Sequence, residues 1–164
     1  MIAVDSAPLI YLSKTGNLEL LKRLYGRILV PRGVWEEVVT QGQGRPGASE
    51  VENAHQDGWI RVERVSVPRT VEAEGAEGAD GEVITLAKNK KLLVLTNDAL
   101  VVAIAKTHNV KAKWLTEALI EAVRDKVLSS KEARLILRDL VRSGLRVKSE
   151  VLAEVVHMME RSTS

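Results

Sequence analysis

The sequence predicts an α/β fold: a three-layer sandwich with a mainly parallel central sheet and helices on both faces. Three observations lead there. Short, almost wholly apolar runs such as Ile2–Val4, Arg27–Val30 and Leu92–Leu95 alternate with segments of helical period at short spacing. Two of these runs give way at once to polar or acidic residues, Asp5 after the first and Thr96, Asn97 and Asp98 after the last. The chain has 164 residues and no cysteine, so its core must hold without disulfides or thiolate-bound zinc.

The elements follow in order. Ile2–Val4 reads as a strand, and Ser6, Ala7 and Pro8 open a helix in which proline occupies the first turn. Leu18, Leu20, Leu21 and Leu24 give a second short helix after the break at Gly16-Asn17. A strand ends at Pro31, and a helix from Arg32 carries Glu36 and Glu37 in its middle. The polar loop QGQGRPG at 41–47 leads to a helix over Ala48–Gln56 and an alternating edge strand over Trp59–Val67, which Pro68 ends. The acidic, glycine-rich stretch at 72–82 reads as a linker into a helix that closes on Lys88, Lys90 and Lys91, where cations suit the helix dipole. A strand at Leu92–Leu95, a helix over Ala99–Thr107 and a strand at Val110–Trp114 follow. After Thr116 strands give way to helices over Leu115–Lys126, Lys131–Arg142 and Glu150–Glu160. Trp35, Trp59 and Trp114 are expected in the core, as are Val127, Leu135, Leu140 and Leu145 in the tail.

Composition narrows the chemistry. Three scattered histidines and no cysteine argue against a soft-ligand metal site, leaving a hard cation held by oxygen. A net charge of +2 conceals 24 basic and 22 acidic residues, a surface compatible with nucleic acid without predicting it. Phenylalanine is absent, so a platform for stacking bases is not expected. Neither Ser6 nor Thr96 has a histidine partner placed for nucleophilic catalysis. GAEGADG lacks the GK[ST] of a phosphate-binding loop. The amino terminus is no signal peptide and no stretch is long and apolar enough to cross a membrane, so the expectation is a cytoplasmic protein without membrane contact.

Ligands in open parallel sheets bind outside the carboxyl ends of the strands. Asp5 and Asp98 each stand there, and a right-handed crossover would bring Asp80, in the first turn of the preceding helix, beside them. Each could instead cap a helix or complement its dipole. Taken together, the acids favour a site for a divalent cation such as Mg²⁺ or Mn²⁺, because grouped carboxylates persist only when protonated or bridged.

The stretches VDSAPLI at 4–10, VPRGVWEEVV at 30–39, GADGEVITLA at 78–87 and LTND at 95–98 resemble, in order, the PIN domain, a metal-dependent ribonuclease fold widespread as the toxin half of toxin–antitoxin pairs. The resemblance implies a nuclease domain over residues 1–115. It implies also a helical extension over 116–164 packed on that domain, as in a subgroup with extra carboxyl-terminal helices. By this resemblance the catalytic and metal-holding acids are Asp5, Glu37, Asp80 and Asp98, with Glu36 the alternative to Glu37. Glu82 is an additional nearby acid, Ser6 belongs to the first motif, and Thr96 and Asn97 would orient Asp98. The chain departs from the family at Leu100, where many members carry a further acid, which bears on a second metal. The implied function is a Mg²⁺- or Mn²⁺-dependent endoribonuclease with RNA as substrate, a protein antitoxin as partner and a homodimeric state. The rivals are a catalytically inactive RNA-binding or scaffold subunit and a structure-specific DNA nuclease.

Overall fold

The structure is a computed structural model and describes residues 1–161. The chain divides into two compact units that part between Lys113 and Trp114.

The first unit is built on an all-parallel sheet of five strands, β1 (Ile2–Val4), β2 (Ile28–Pro31), β3 (Ile60–Glu63), β4 (Val94–Leu95) and β5 (Ala112–Lys113), in the order β3-β2-β1-β4-β5. Strand order runs outward one way from β1 through β2 and β3, then resumes on the other side with β4 and β5. With right-handed crossovers this reversal places helices on both faces. Successive residues of a strand point to opposite faces, and Ile2, Ala3 and Val4 are all buried, so β1 is covered on both. One side of the core gathers Ala3 and Val94 with Val83, Ile84, Ala87, Val101, Ile104 and Ala105.

The crossovers are helical. After β1 come α1 (Ser6–Lys14) and α2 (Glu19–Tyr25), and after β2 comes α3 (Arg32–Trp35), which runs on into a π-helical turn, Glu36–Thr40, and then α4 (Ala48–Gln56). After β3 come α5 (Arg69–Glu72) and α6 (Gly78–Lys90); α7 (Ala99–Thr107) joins β4 to β5. α6 packs against β1, β2, β4 and α3. The π turn is closed by the Gln41 N–H on the Glu36 carbonyl at 2.8 Å. Gly42 follows because a Cβ there would run into the Val38 carbonyl oxygen.

Several sequence expectations need adjusting. The strand expected over Trp59–Val67 stops at Glu63, whose partner Pro31 is the last residue of β2 and has no N–H to extend the ladder. The linker reading of GADG is wrong: Gly78–Gly81 form the first turn of α6, where burial of Ala79 and Gly81 overrides the poor helix propensity of glycine. Helix α5 is an addition, opening on Pro68 as helices often open on proline. Trp59 is buried as expected, whereas Trp35 and Trp114 are half-buried, Trp35 lying edge-on to His55 at 4.8 Å between ring centres.

The second unit comprises α8 (Leu115–Arg124), α9 (Ser130–Arg142) and α10 (Ser149–Arg161), which pack on one another. Helix α9 opens on a reciprocal cap in which Ser129 Oγ accepts from Glu132 N at 3.1 Å and Glu132 Oε2 accepts from Ser129 N at 3.4 Å. Ala133, Leu137 and Leu140 form its buried face, and Leu135, expected in the core, is 41% exposed because it lies two residues, about 200°, off that face. Among the described residues no helix is long and apolar enough to cross a membrane.

Candidate active site

The strand order reverses between β1 and β4, and crevices at such switch points are where open α/β sheets bind ligands. Asp5 leaves β1 there and Thr96–Asp98 leave β4. The register Val4↔Leu95 sets Asp5 beside Thr96, and the Asp5 N–H donates to the Leu95 carbonyl at 3.0 Å. Asp5 is only 4% exposed. Its Oδ1 accepts from Ser6 N at 2.8 Å, and its Oδ2 accepts from the fully buried Thr96 hydroxyl at 2.7 Å. The Thr96 oxygen accepts in turn from the Asp98 N–H at 3.1 Å, so one hydroxyl ties together the two strand ends.

Asp98 is exposed and caps α7, its Oδ1 accepting from Leu100 N at 2.8 Å. Glu37, exposed on the π turn, is anchored through its Oε2, which accepts the Ser6 hydroxyl at 2.5 Å. Asp80 lies half-buried in the first turn of α6.

Electrostatics link these four acids. Burial pushes the Asp5 carboxyl above its ordinary value, the hydrogen bonds from Thr96 and Ser6 pull it back in part, and the charges of Asp98 and Glu37 push it up again. Asp80 is pushed up to about 6, first by burial and then by the negative charges of Asp5, Asp98 and Glu37. The side chains nevertheless stand apart: among the described residues no three His, Asp or Glu side chains are grouped closely enough to hold a metal ion. Like charges favour such separation.

The remaining expected residues have other engagements. Glu36 points outward and pairs with Arg32 at 3.2 Å, its side chain 49% exposed. Glu82 Oε2 accepts the Gly33 N–H at 2.7 Å and is taken up in that bond. Asn97 is half-buried between Thr96 and Asp98. Thr96 orients the Asp5 carboxylate and the Asp98 backbone; the Asp98 carboxylate is oriented by its own helix. Gly33 escaped the sequence reading, although a glycine within a helical turn signals a close approach.

As a donor set, Asp5, Glu37, Asp80 and Asp98 fit a hard divalent cation: all are carboxylates, and the bonds to Leu100 N and Ser6 Oγ engage one oxygen each of Asp98 and Glu37. Carboxylates at the switch point of a doubly wound parallel sheet stand where such sheets bind ligands. A family model described as DUF3368, PIN domain, matches residues 1–161, and the chain belongs to the PIN domain family. PIN domains are a nuclease fold, generally dependent on divalent metals. No curated protein matches the chain.

Proposed function

We propose that this protein is a Mg²⁺- or Mn²⁺-dependent endoribonuclease that hydrolyses RNA phosphodiester bonds as the toxin of a toxin–antitoxin pair. The observation that carries this reading is the placement of Asp5 and Asp80 near Asp98 and Glu37 at the sheet's switch point, where burial first and neighbouring negative charge second raise both carboxyls. Carboxylates under such pressure gain by sharing a cation.

Asp5, Glu37, Asp80 and Asp98 would hold the metal, which supplies activation of a water for attack on phosphorus and stabilisation of the leaving oxygen. Each residue has a distinct task. Thr96 and Ser6 N hold both Asp5 oxygens, so the carboxylate keeps one orientation in a buried site. The Ser6 hydroxyl restrains Glu37, which its exposure would otherwise leave mobile. Asp98 is immobilised by its cap to α7. Asp80, raised to about 6, sheds its proton near neutrality and so is ready to bind a cation there. RNA, a protein antitoxin and a second copy of the chain in a homodimer are the partners this reading carries.

The test is cleavage of matched RNA and DNA strands with Mn²⁺, Mg²⁺ or chelator, by wild type, Asp5→Asn and Asp80→Asn. RNA cleavage lost with chelator and in both variants supports the reading. Cleavage of DNA alone would replace it with the DNA-nuclease rival, and metal-independent RNA binding without cleavage with the scaffold rival.

A further inference from the structure

Glu82 follows Asp80 by two residues, yet it shares none of the hydrogen bonds that hold Asp5, Glu37 and Asp98. Its Oε2 accepts the Gly33 N–H at 2.7 Å, across 49 residues of sequence. Gly33 stands in the first turn of the helical segment Arg32–Thr40, where backbone N–H groups have no acceptor within the helix. The cap position there is Pro31, which makes no side-chain cap bond. The missing acceptor is therefore supplied by another helix, and its negative charge suits the positive helix end.

The approach is close. A Cβ on residue 33 would collide with Glu82 Oε2 and would stand 3.2 Å from Glu82 Cδ and 3.1 Å from Ala79 Cα. A side chain at residue 33 would displace this carboxylate from its present place on the Gly33 N–H. The segment so tied also carries Glu37, one turn further on, and α6 carries Asp80 half a turn before Glu82. One hydrogen bond thus joins two of the elements that deliver the acids.

We propose that Glu82 is a positioning residue that straps the Glu37-bearing segment to the Asp80-bearing helix through Gly33 N, and so sets the separation of those two acids. The consequence for metal rests on the nuclease reading above; the strap concerns Glu82 and Gly33 alone.

The test uses the full chain as wild type, Glu82→Gln, Glu82→Ala, Gly33→Ala and the double alanine variant, each measured for melting temperature in chelator and for Mn²⁺ affinity by calorimetry. Glu82→Gln keeps an oxygen to accept from Gly33 and should hold Mn²⁺ within about threefold of wild type, whereas each alanine variant should weaken it about tenfold, the usual scale for lost support of a metal ligand. Each alanine variant should melt about 5 °C lower, and the double variant no lower than the worse single one, since both break the same contact. Should Glu82→Gln lose as much affinity as Glu82→Ala, the charge matters rather than the strap, and the proposal falls. Additive losses in the double variant also overturn it. If the alanine variants do not fold, Glu82→Gln decides alone, retained affinity supporting the strap and lost affinity overturning it. A wild type that binds no Mn²⁺ overturns the metal reading while the melting temperatures in chelator still decide the strap, and tight binding with additive losses overturns this proposal only.

Discussion

Replacing Asp80 by Asn should stabilise the protein in chelator, although it removes a charge from the first turn of a helix. In the folded state the Asp80 carboxyl is raised from 3.8 to about 6. A group raised in this way holds its proton more tightly when folded than when unfolded. Its contribution is therefore fully favourable below 3.8 and is lost as pH rises through about 6. At about 1.4 kcal/mol per tenfold the penalty above that value is about 3 kcal/mol, and solvent screening of this half-buried group reduces it to ~1.5 kcal/mol. Loss of the favourable helix-dipole interaction takes back about 0.5 kcal/mol. A net gain of about 1 kcal/mol corresponds to roughly 3 °C for a chain of this length. The assay is thermal unfolding in chelator at about pH 8 and again near pH 4.5, where protonation removes most of the penalty and the gap should shrink. With Mn²⁺ at about a hundred times its Kd, wild type gains about 2.7 kcal/mol and the order should reverse. If Asp80→Asn melts at or below wild type in chelator at the higher pH, burial and the neighbouring acids do not penalise the Asp80 carboxylate and the reasoning fails.

Other substitutions separate roles that share a residue. Asp98→Asn keeps an oxygen for Leu100 N and should lose Mn²⁺ affinity with little change in chelator, whereas Asp98→Ala should also cost about 1 kcal/mol of stability as a lost cap, read from melting curves with and without metal. Thr96→Val removes both the donor to Asp5 and the acceptor for Asp98 N–H in a fully buried position. It should cost about 1–3 kcal/mol in urea unfolding and, by pushing Asp5 further up, move the onset of Mn²⁺ binding to higher pH. Glu36→Gln, at an exposed ion pair, should change stability by less than about 0.5 kcal/mol and leave Mn²⁺ affinity alone, while Glu37→Gln should weaken it in the same titration.

The helices were legible because their signals are local. Ala99–Thr107 comes out with the same ends in sequence and structure, since Asp98 caps it and a clean apolar period fills it. The strands were harder, because a strand ends where its partner ends: nothing in Trp59–Val67 itself says that Pro31 will stop the ladder at Glu63. Of the acids, Asp5 and Asp98 stand out by closing apolar runs. Glu37 does not, because a glutamate beside Glu36 on a helix looks like any solvated pair. What separates the two is the third dimension, Ser6 reaching one and Arg32 the other. The engagement of Glu82 was hidden for the same reason, since the Gly33 N–H it meets is 49 residues away.

Asp98 caps a helix, and that cap is compatible with the role proposed for it in a site. Asp5 caps α1, Asp98 caps α7 and Asp80 lies in the first turn of α6, so three of the four acids stand at helix N-termini. Each such end carries about half a positive charge, and together they temper the repulsion that gathering the carboxylates creates. The same parallel sheet produces both facts, because β1 and β4 each end within a few residues of the helix that follows. At the switch point two such strand-to-helix junctions, β1–α1 and β4–α7, lie side by side, and α6 packs against both strands. Capping thus supplies the means by which this fold tolerates a cluster of acids, and a capping oxygen on Asp98 leaves the other for a cation.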